Sequence, residues 1–342
     1  MTRDRHPPLT LSAHIEKLPL KQPFHITGYT FTACDALVVS LHDGEFTGQG
    51  EGLGVYYRDD TPAAMLQQVE RLCGRIERGM TREELLELLP AGGARNAVDC
   101  ALWDLEAKRG HTSVWQLAGL SRPASLLTTY TLSADAPDEV GEAARDYARQ
   151  GARALKLKLK DDHLNAERVR AVRAACPGAW LMVDANQGLT RETLMQMLPT
   201  FVEAGVAVVE QPFPVGREAW FDGLHYPVPL AADESVQDRA DLAGLDGRVQ
   251  VINIKLDKCG GLTAGLAMAR EAQRRGFRLM VGNMGGSSLS MGPAFVLGSL
   301  CSVVDLDGPM FIQADREPGV SYRDGHIRCP DGIWGGPCAL PA

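Results

Sequence analysis

The residues best equipped for chemistry in this 342-residue chain recur at a steady interval. They are Lys156-Leu157-Lys158, Asp184-Ala185-Asn186, Glu210-Gln211-Pro212, Asp233-Glu234-Ser235, Lys255, Asn283 and Asp305-Leu306-Asp307. Lys158, Asp184, Glu210, Asp233 and Lys255 are spaced 26, 26, 23 and 22 residues apart. Brought together, Asp184, Glu210 and Asp233 would repel one another until one took up a proton. A divalent cation removes that conflict, and an all-oxygen set completed by water and substrate suits Mg²⁺ better than zinc. Any one of the three alone is as readily a salt bridge or a helix cap; three at one recurring interval favour the metal. Lys158 precedes this triad and Lys255 follows it. A partly desolvated lysine beside a cation gives up its proton more easily, and the neutral amine is then a general base. Metal binding of a substrate carboxylate would stabilise the enediolate formed when the α-proton leaves. One lysine on each face permits removal on one side and return on the other, which inverts the centre. Alternation puts Lys156, Lys158 and Lys160 on one strand face, a pattern that a solvated edge also gives; only an interior position would make them catalytic.

An interval of this size is one strand plus one helix. Each group closes a short apolar or β-branched run, and eight such runs extend from Leu126–Leu132 to Ser302–Val304, with amphipathic stretches such as Asp161–Ala175 and Arg191–Ala204 between them. This predicts an α/β fold, a (β/α)8-type (modified TIM) barrel over residues 121–315, whose C-terminal strand ends gather the side chains in one mouth. Ahead of it, Leu9–Lys17, Ala36–His42 and Phe46–Gly52 alternate as strands, and from Thr61 to Gly110 the apolar residues take helical spacing. Residues 1–120 are therefore expected to form an α+β capping domain. The Gly- and Pro-rich tail, 316–342, is expected to pack back on it. The seventh run ends in Val281-Gly282-Asn283-Met284-Gly285-Gly286-Ser287-Ser288, where small residues would admit a substrate backbone and Asn283 is a candidate contact; it matches no phosphate-loop pattern.

The composition is that of an ordinary soluble globular protein, 45% hydrophobic and 23% charged. A net charge of −8 with interspersed signs disfavours nucleic acid or an anionic membrane surface as partner. No apolar stretch approaches the roughly 18 residues of a membrane span, and Met1–Pro8 is followed by no signal-type apolar segment. The eight cysteines are scattered without CxxC pairs, as expected of reduced thiols in a cytoplasmic protein. No histidine falls at a barrel strand end; His163 and His225 read as helix and connection, which disfavours a histidine base.

The ordered motifs ALKLKL (Ala154–Leu159), VDANQ (Val183–Gln187), VEQP (Val209–Pro212), ADES (Ala232–Ser235) and INIKLDKCGG (Ile252–Gly261), with RNAVDCALWDL (Arg95–Leu105) before them, resemble the muconate-lactonising subgroup of the enolase superfamily. The resemblance spans essentially the whole chain. It implies Lys158 and Lys255 as the acid/base pair, Asp184, Glu210 and Asp233 as Mg²⁺ ligands, and Lys156 as the residue that lowers the pKa of Lys158 and touches the substrate carboxylate. Val304–Pro309 (VDLDGP) is similar to the dipeptide epimerases of this subgroup, such as L-Ala-D/L-Glu epimerases, whose Asp-x-Asp receives the dipeptide ammonium. That implies Asp305 and Asp307 in this role and Thr131 as a substrate contact.

One departure bears on specificity. Glutamyl-specific members of the subgroup commonly carry an arginine after a Pro-Phe start in a mobile cap loop; here Pro23-Phe24 leads to Gly28 at that place. Gly28 and Tyr29, with Tyr56 and Tyr57, point to an apolar or aromatic pocket. The expected function is Mg²⁺-dependent epimerisation of a dipeptide that is not glutamyl-specific. The alternatives are racemisation of an N-acylamino acid, or a lyase or cycloisomerase reaction through the same enediolate. A small molecule is the expected partner, and barrels of this kind often associate as homo-oligomers.

Overall fold

The computed structural model describes residues 8–26, 28–223 and 226–336; the N-terminal residues 1–7, His225 and Cys338 lie outside the described residues. Strands β1 (Thr10–Ile26) and β2 (Tyr29–His42) form a long antiparallel hairpin, and β3 (Thr47–Leu53) pairs with the other edge of β2. Strand β1 outruns its predicted end at Lys17, through Pro19 and Pro23, with a register shift between Pro19 and Phe24. It is an edge strand, so a missing proline N–H can face outward without breaking the ladder.

Helices α1 (Pro62–Ile76), α2 (Arg82–Leu88) and α3 (Gly93–Arg109) follow. The Thr61 side chain caps α1 with Pro62 at its first position, and Thr81 and Glu84 close a capping box on α2. Helix α3 is buried almost throughout and lies against β3 at backbone distance. A Cβ added at Gly48, Gly50 or Gly52 would stand 2.2, 2.1 and 2.1 Å from the carbonyl oxygens of Ala101, Ala97 and Gly93. Two strand residues span about 6.6 Å and four helical residues about 6 Å, so alternate glycines meet successive helical turns. The opposite side of α3 reaches the barrel: Thr263 donates to Asp99 from its N and Oγ1 at 2.9 and 2.6 Å, and Asn96 Nδ2 donates to Asp257 at 2.8 Å.

The predicted run Leu126–Leu132 is two strands. Strand β4 (Leu126–Leu127) turns away from the barrel, and β5 (Thr129–Leu132) begins it. The barrel continues through β6 (Ala154–Lys158), β7 (Trp180–Asp184), β8 (Val206–Glu210), β9 (Leu230–Ala232), β10 (Val251–Ile254), β11 (Arg278–Val281) and β12 (Val303–Val304), eight parallel strands in sequence order. Tail strands β13 (Ser321–Arg323) and β14 (His326–Arg328) form a hairpin whose second strand pairs with β4. Beyond it, Trp334 Nε1 donates to the carbonyls of Gln49 and Cys100, and Gly335 N donates to Asp104 at 2.7 Å.

Alternation sorts the barrel residues. Leu155, Leu157, Val183, Val209, Ile252, Ile254 and Val281 face outward into the core beneath the helices. Met182, Val208, Ala231, Val251, Met280 and Val303 form a separate inner plug. Two residues further along five of these six strands the inward position is Asp184, Glu210, Asp233, Gly282 or Asp305, so charge is layered directly on an apolar floor. Between the first and last barrel strands, side chains make the bonds. Thr129 Oγ1 donates to Asp305 at 2.7 Å, Thr131 N donates to Asp307 at 2.7 Å, and Leu306 N donates to Thr128 Oγ1 at 3.0 Å.

The contact between β3 and α3 has no slack for a methyl group. Gly50→Ala is expected to lower stability by about 1–3 kcal/mol, as overpacking does. A urea denaturation series reads this directly; an unchanged midpoint would show that α3 can move off the sheet.

Candidate active site

Register places the chemistry. Lys158 is level with Asp184 across the β6–β7 ladder, and Asp184 is level with Glu210 across β7–β8. Asp233 follows the last residue of β9 and Lys255 the last of β10. Strands β6 and β10 are second and sixth of eight, so Lys158 and Lys255 stand on opposite sides of the mouth. The solvated-edge reading of the lysine run is thereby ruled out for Lys156 and Lys158, which are 1% and 8% exposed, and holds for Lys160, which is exposed.

The buried charges interlock. Lys156 Nζ lies 2.7 Å from Glu210, 2.8 Å from Asp305 and 3.1 Å from Asp184. Lys158 Nζ donates to Asp184 Oδ2 at 2.7 Å, and Lys255 Nζ stands 2.7 Å from Asp233 Oδ2. Burial pushes the Asp184 and Asp233 carboxyls up, but the neighbouring lysines outweigh it and hold both below the usual carboxylate range. Glu210 goes the other way, raised by burial and by the charge of Asp184, and Glu234 is raised by burial and by Asp233. Burial alone would lower Lys156 and Lys255; Asp305 and Asp233, respectively, reverse this and raise them. Against the protein's own charges Lys255 is therefore a firmly held ammonium, and the fall expected from sequence needs added positive charge.

The donor chemistry fits a hard divalent cation. Asp184, Glu210 and Asp233 are fully buried, all-oxygen, and in electrostatic conflict with one another. The Glu210 Oε2 contact with Lys156 is an ion pair without hydrogen-bond alignment, and Glu234 Oε2 and Asn186 Oδ1 beside it have no hydrogen-bond partner. Among the described residues no three such groups converge into a finished ligand set, because lysine ammonium groups stand against the carboxylates.

Sequence reasoning overlooked Lys258. One helical turn beyond Lys255 and buried, it donates to Asp233 Oδ1 at 2.5 Å and to the Asp233 and Asn253 carbonyls. Its signal was the i, i+3 spacing within Ile252–Gly261. Asn253, two residues before Lys255 on the same strand face, donates to Glu210 Oε1 at 2.6 Å.

The substrate-side candidates divide. Thr131, Lys156, Asn283, Asp305 and Asp307 all line one cavity of about 410 Å³ between cap and barrel, with Lys158 and Lys255 at its floor. Asp305 is engaged by Lys156, whereas Asp307 has no ion-pair partner among the described residues. Burial and the charge of Asp305 raise the Asp307 carboxyl to about 7. Asn283 spends its amide on the Asp305 carbonyl and on Gly285 N. Gly28 and Tyr29 do not line the cavity. Gly28, at φ +79°, is at the hairpin tip with open space around it, and Tyr29 is 45% exposed beside Tyr56. The segment expected as a loop there is mostly strand. Of the seventh-run glycines, Gly285 lines the cavity, while two others are tightly packed: a Cβ on Gly282 would meet Asn253 and Lys255 Cε within 3 Å, and one on Gly286 would meet Glu51 and Leu53 of the cap.

This fold has counterparts among known proteins. The model described as "Enolase C-terminal domain-like" matches residues 139–333, and that of the "Mandelate racemase / muconate lactonizing enzyme, N-terminal domain" matches residues 10–119. The L-Ala-D/L-Glu epimerase of Escherichia coli is 39% identical over 93% of this chain and 99% of its own. The N-acetyl-D-glutamate racemase of a Pseudoalteromonas species is 38% identical over 88% and 95%. The dipeptide epimerase of Methylococcus capsulatus, solved with Mg and L-Arg-D-Lys, superposes with a TM-score of 0.89 at 30% identity, covering 96% of this chain and 99% of its own. The chain belongs to the mandelate racemase / muconate lactonizing enzyme family of the enolase superfamily.

Proposed function

We propose that this chain is a Mg²⁺-dependent dipeptide epimerase, moving the α-proton of the residue that bears the free carboxylate. The observation that carries the reading is the opposition of Lys158 and Lys255 across a mouth floored by Asp184, Glu210 and Asp233. The named activities of its relatives, epimerase and racemase, are isomerase activities of the same kind. In this reading residues 1–120 with the tail 316–342 cap the barrel of residues 121–315. The seven described cysteines, all free, fit a cytoplasmic enzyme, and no helix among the described residues is long and apolar enough to cross a membrane.

Asp184, Glu210 and Asp233 would hold the ion, which supplies Lewis-acid charge beside the substrate carboxylate. The remaining roles fall to side chains. Lys158 as neutral amine takes the α-proton from one face, and Lys255 as ammonium returns one on the other; in the reverse direction the two exchange roles. Lys156, fully buried and held charged, keeps positive potential next to the carboxylate row. Lys258 fixes the Asp233 carboxylate from behind. Asp307 is the carboxylate left to receive the dipeptide ammonium.

Racemisation of an N-acylamino acid is the second reading, favoured by the engagement of Asp305 with Lys156 and by the racemase among the relatives. Asp307 separates the two. Asp307→Asn is expected to lower kcat/KM for dipeptides about 10- to 100-fold, the range for losing a charged hydrogen bond. Turnover of N-acylamino acids should hold; an equal loss on both substrates would remove the ammonium assignment.

Lys158→Met and Lys255→Met should each abolish epimerisation by at least about 100-fold. In D₂O each variant should still exchange the α-proton of one diastereomer, the opposite one in each case, read by NMR. Exchange of both diastereomers by either variant would exclude two-lysine transfer. Chelation should remove activity, and among added cations Mg²⁺ should restore it; full activity in excess chelator would refute the metal assignment.

A further inference from the structure

The far half of the cap hairpin has two chemically different faces. Past the register shift, Phe24 is opposite Phe31 and Ile26 opposite Tyr29, so these four share one face, while His25 and Thr30 bond to each other on the other at 3.0 Å. Phe24, Ile26 and Phe31 line the cavity, and Tyr29 carries the face to the rim, its ring 4.6 Å from that of Tyr56. Phe311, 5.2 Å from Phe24, continues the wall above Asp307. Burial raises the Tyr56 hydroxyl well above its ordinary range, against the opposing pull of Lys255, so it faces the cavity as a neutral ring.

Phe24, Ile26 and Phe31 bring no charge to that wall. The cations among the described lining residues are Lys156, Lys158 and Lys255, all on the barrel floor and all in contact with carboxylates. The cap contributes only acidic groups: Asp35 and Asp59 are exposed, and Asp60 accepts from Gly93 N at 2.9 Å. An anionic substrate side chain would leave water for aromatic rings and nearby negative charge, with no counter-ion. A cationic one would find on the hairpin only Asp35, an exposed carboxylate that solvent screens. An apolar side chain meets complementary surface throughout.

We infer that the substrate carries an apolar or aromatic side chain on its epimerised residue, received by the face of Phe24, Ile26 and Phe31. This rests on the dipeptide-epimerase reading and narrows it, and it departs from the glutamate named in two of the relatives described above. The test measures α-deuterium incorporation, with Mg²⁺ in D₂O, into L-Ala-L-Phe, L-Ala-L-Leu, L-Ala-L-Glu and L-Ala-L-Lys. The first two are expected to exceed the last two in kcat/KM on the order of 100-fold. Glu or Lys dipeptides matching them would overturn the apolar assignment and leave the epimerase reading intact. Exchange into no dipeptide would remove the epimerase reading and this inference with it. Ile26→Arg, which places a cation in the wall, should shift the ratio toward L-Ala-L-Glu by about tenfold or more; an unmoved ratio with wild-type stability would show that the hairpin face does not touch the side chain.

Discussion

Everything at the mouth depends on Lys156. It is nearly inaccessible and touches three carboxylates from three different strands, Asp184, Glu210 and Asp305. Burying an ion costs several kcal/mol when it is unpaired, and a carboxylate row on an apolar plug has nowhere to send its charge. One ammonium at the centre lets strands β6, β7, β8 and β12 all carry acidic or basic ends. Lys158, Lys255 and Lys258 then extend the same alternation of sign around the rim. The pattern holds its geometry by attraction in a low-dielectric interior, and the two of these four lysines with most exposure, Lys158 and Lys255, are the pair proposed for proton transfer.

The barrel and its charged layer were legible because their signals are local and periodic. A spacing of 22–26 residues reports one strand and one helix, and period-two alternation tells which residues of ALKLKL face inward. What sequence left unread depends on distant pairing. Lys258 was not singled out beside Lys255, because only the short helix Leu256–Cys259 turns it under Asp233. The division of Leu126–Leu132 between barrel and tail follows from β14, some 200 residues away. The length of the cap hairpin was hidden by Pro19 and Pro23, which mark breaks in a central strand but are tolerated at an edge. The close neighbours of Gly282 and Gly286, Lys255 and the cap strand β3, were likewise out of reach, because tertiary packing sets them.

Rigidity and adaptability are assigned to different parts of the cap. Sheet and helix α3 meet backbone to backbone through Gly48, Gly50 and Gly52, and α3 is in turn bonded to the barrel through Asp99 and Asn96. The hairpin tip is held more lightly, by Ser133 Oγ donating to the His25 carbonyl at 3.5 Å and by the ring contact of Phe24 with Phe311. It contributes side chains to the cavity from two strands connected chiefly to each other. Catalytic geometry is fixed through the glycine contact, while the wall above it can change residue by residue.

The seam between the first and last barrel strands sharpens this division. Asp305 and Asp307 accept from Thr129 and Thr131, so the residues proposed to face the amino end of a substrate are also the fastening of the barrel. A substitution there is judged twice, once for recognition and once for closure, and few replacements pass both. The two walls therefore differ in constraint: a change at Asp305 or Asp307 acts on the cavity and on barrel closure together, while a change at Phe24, Ile26 or Phe31 acts on the cavity wall.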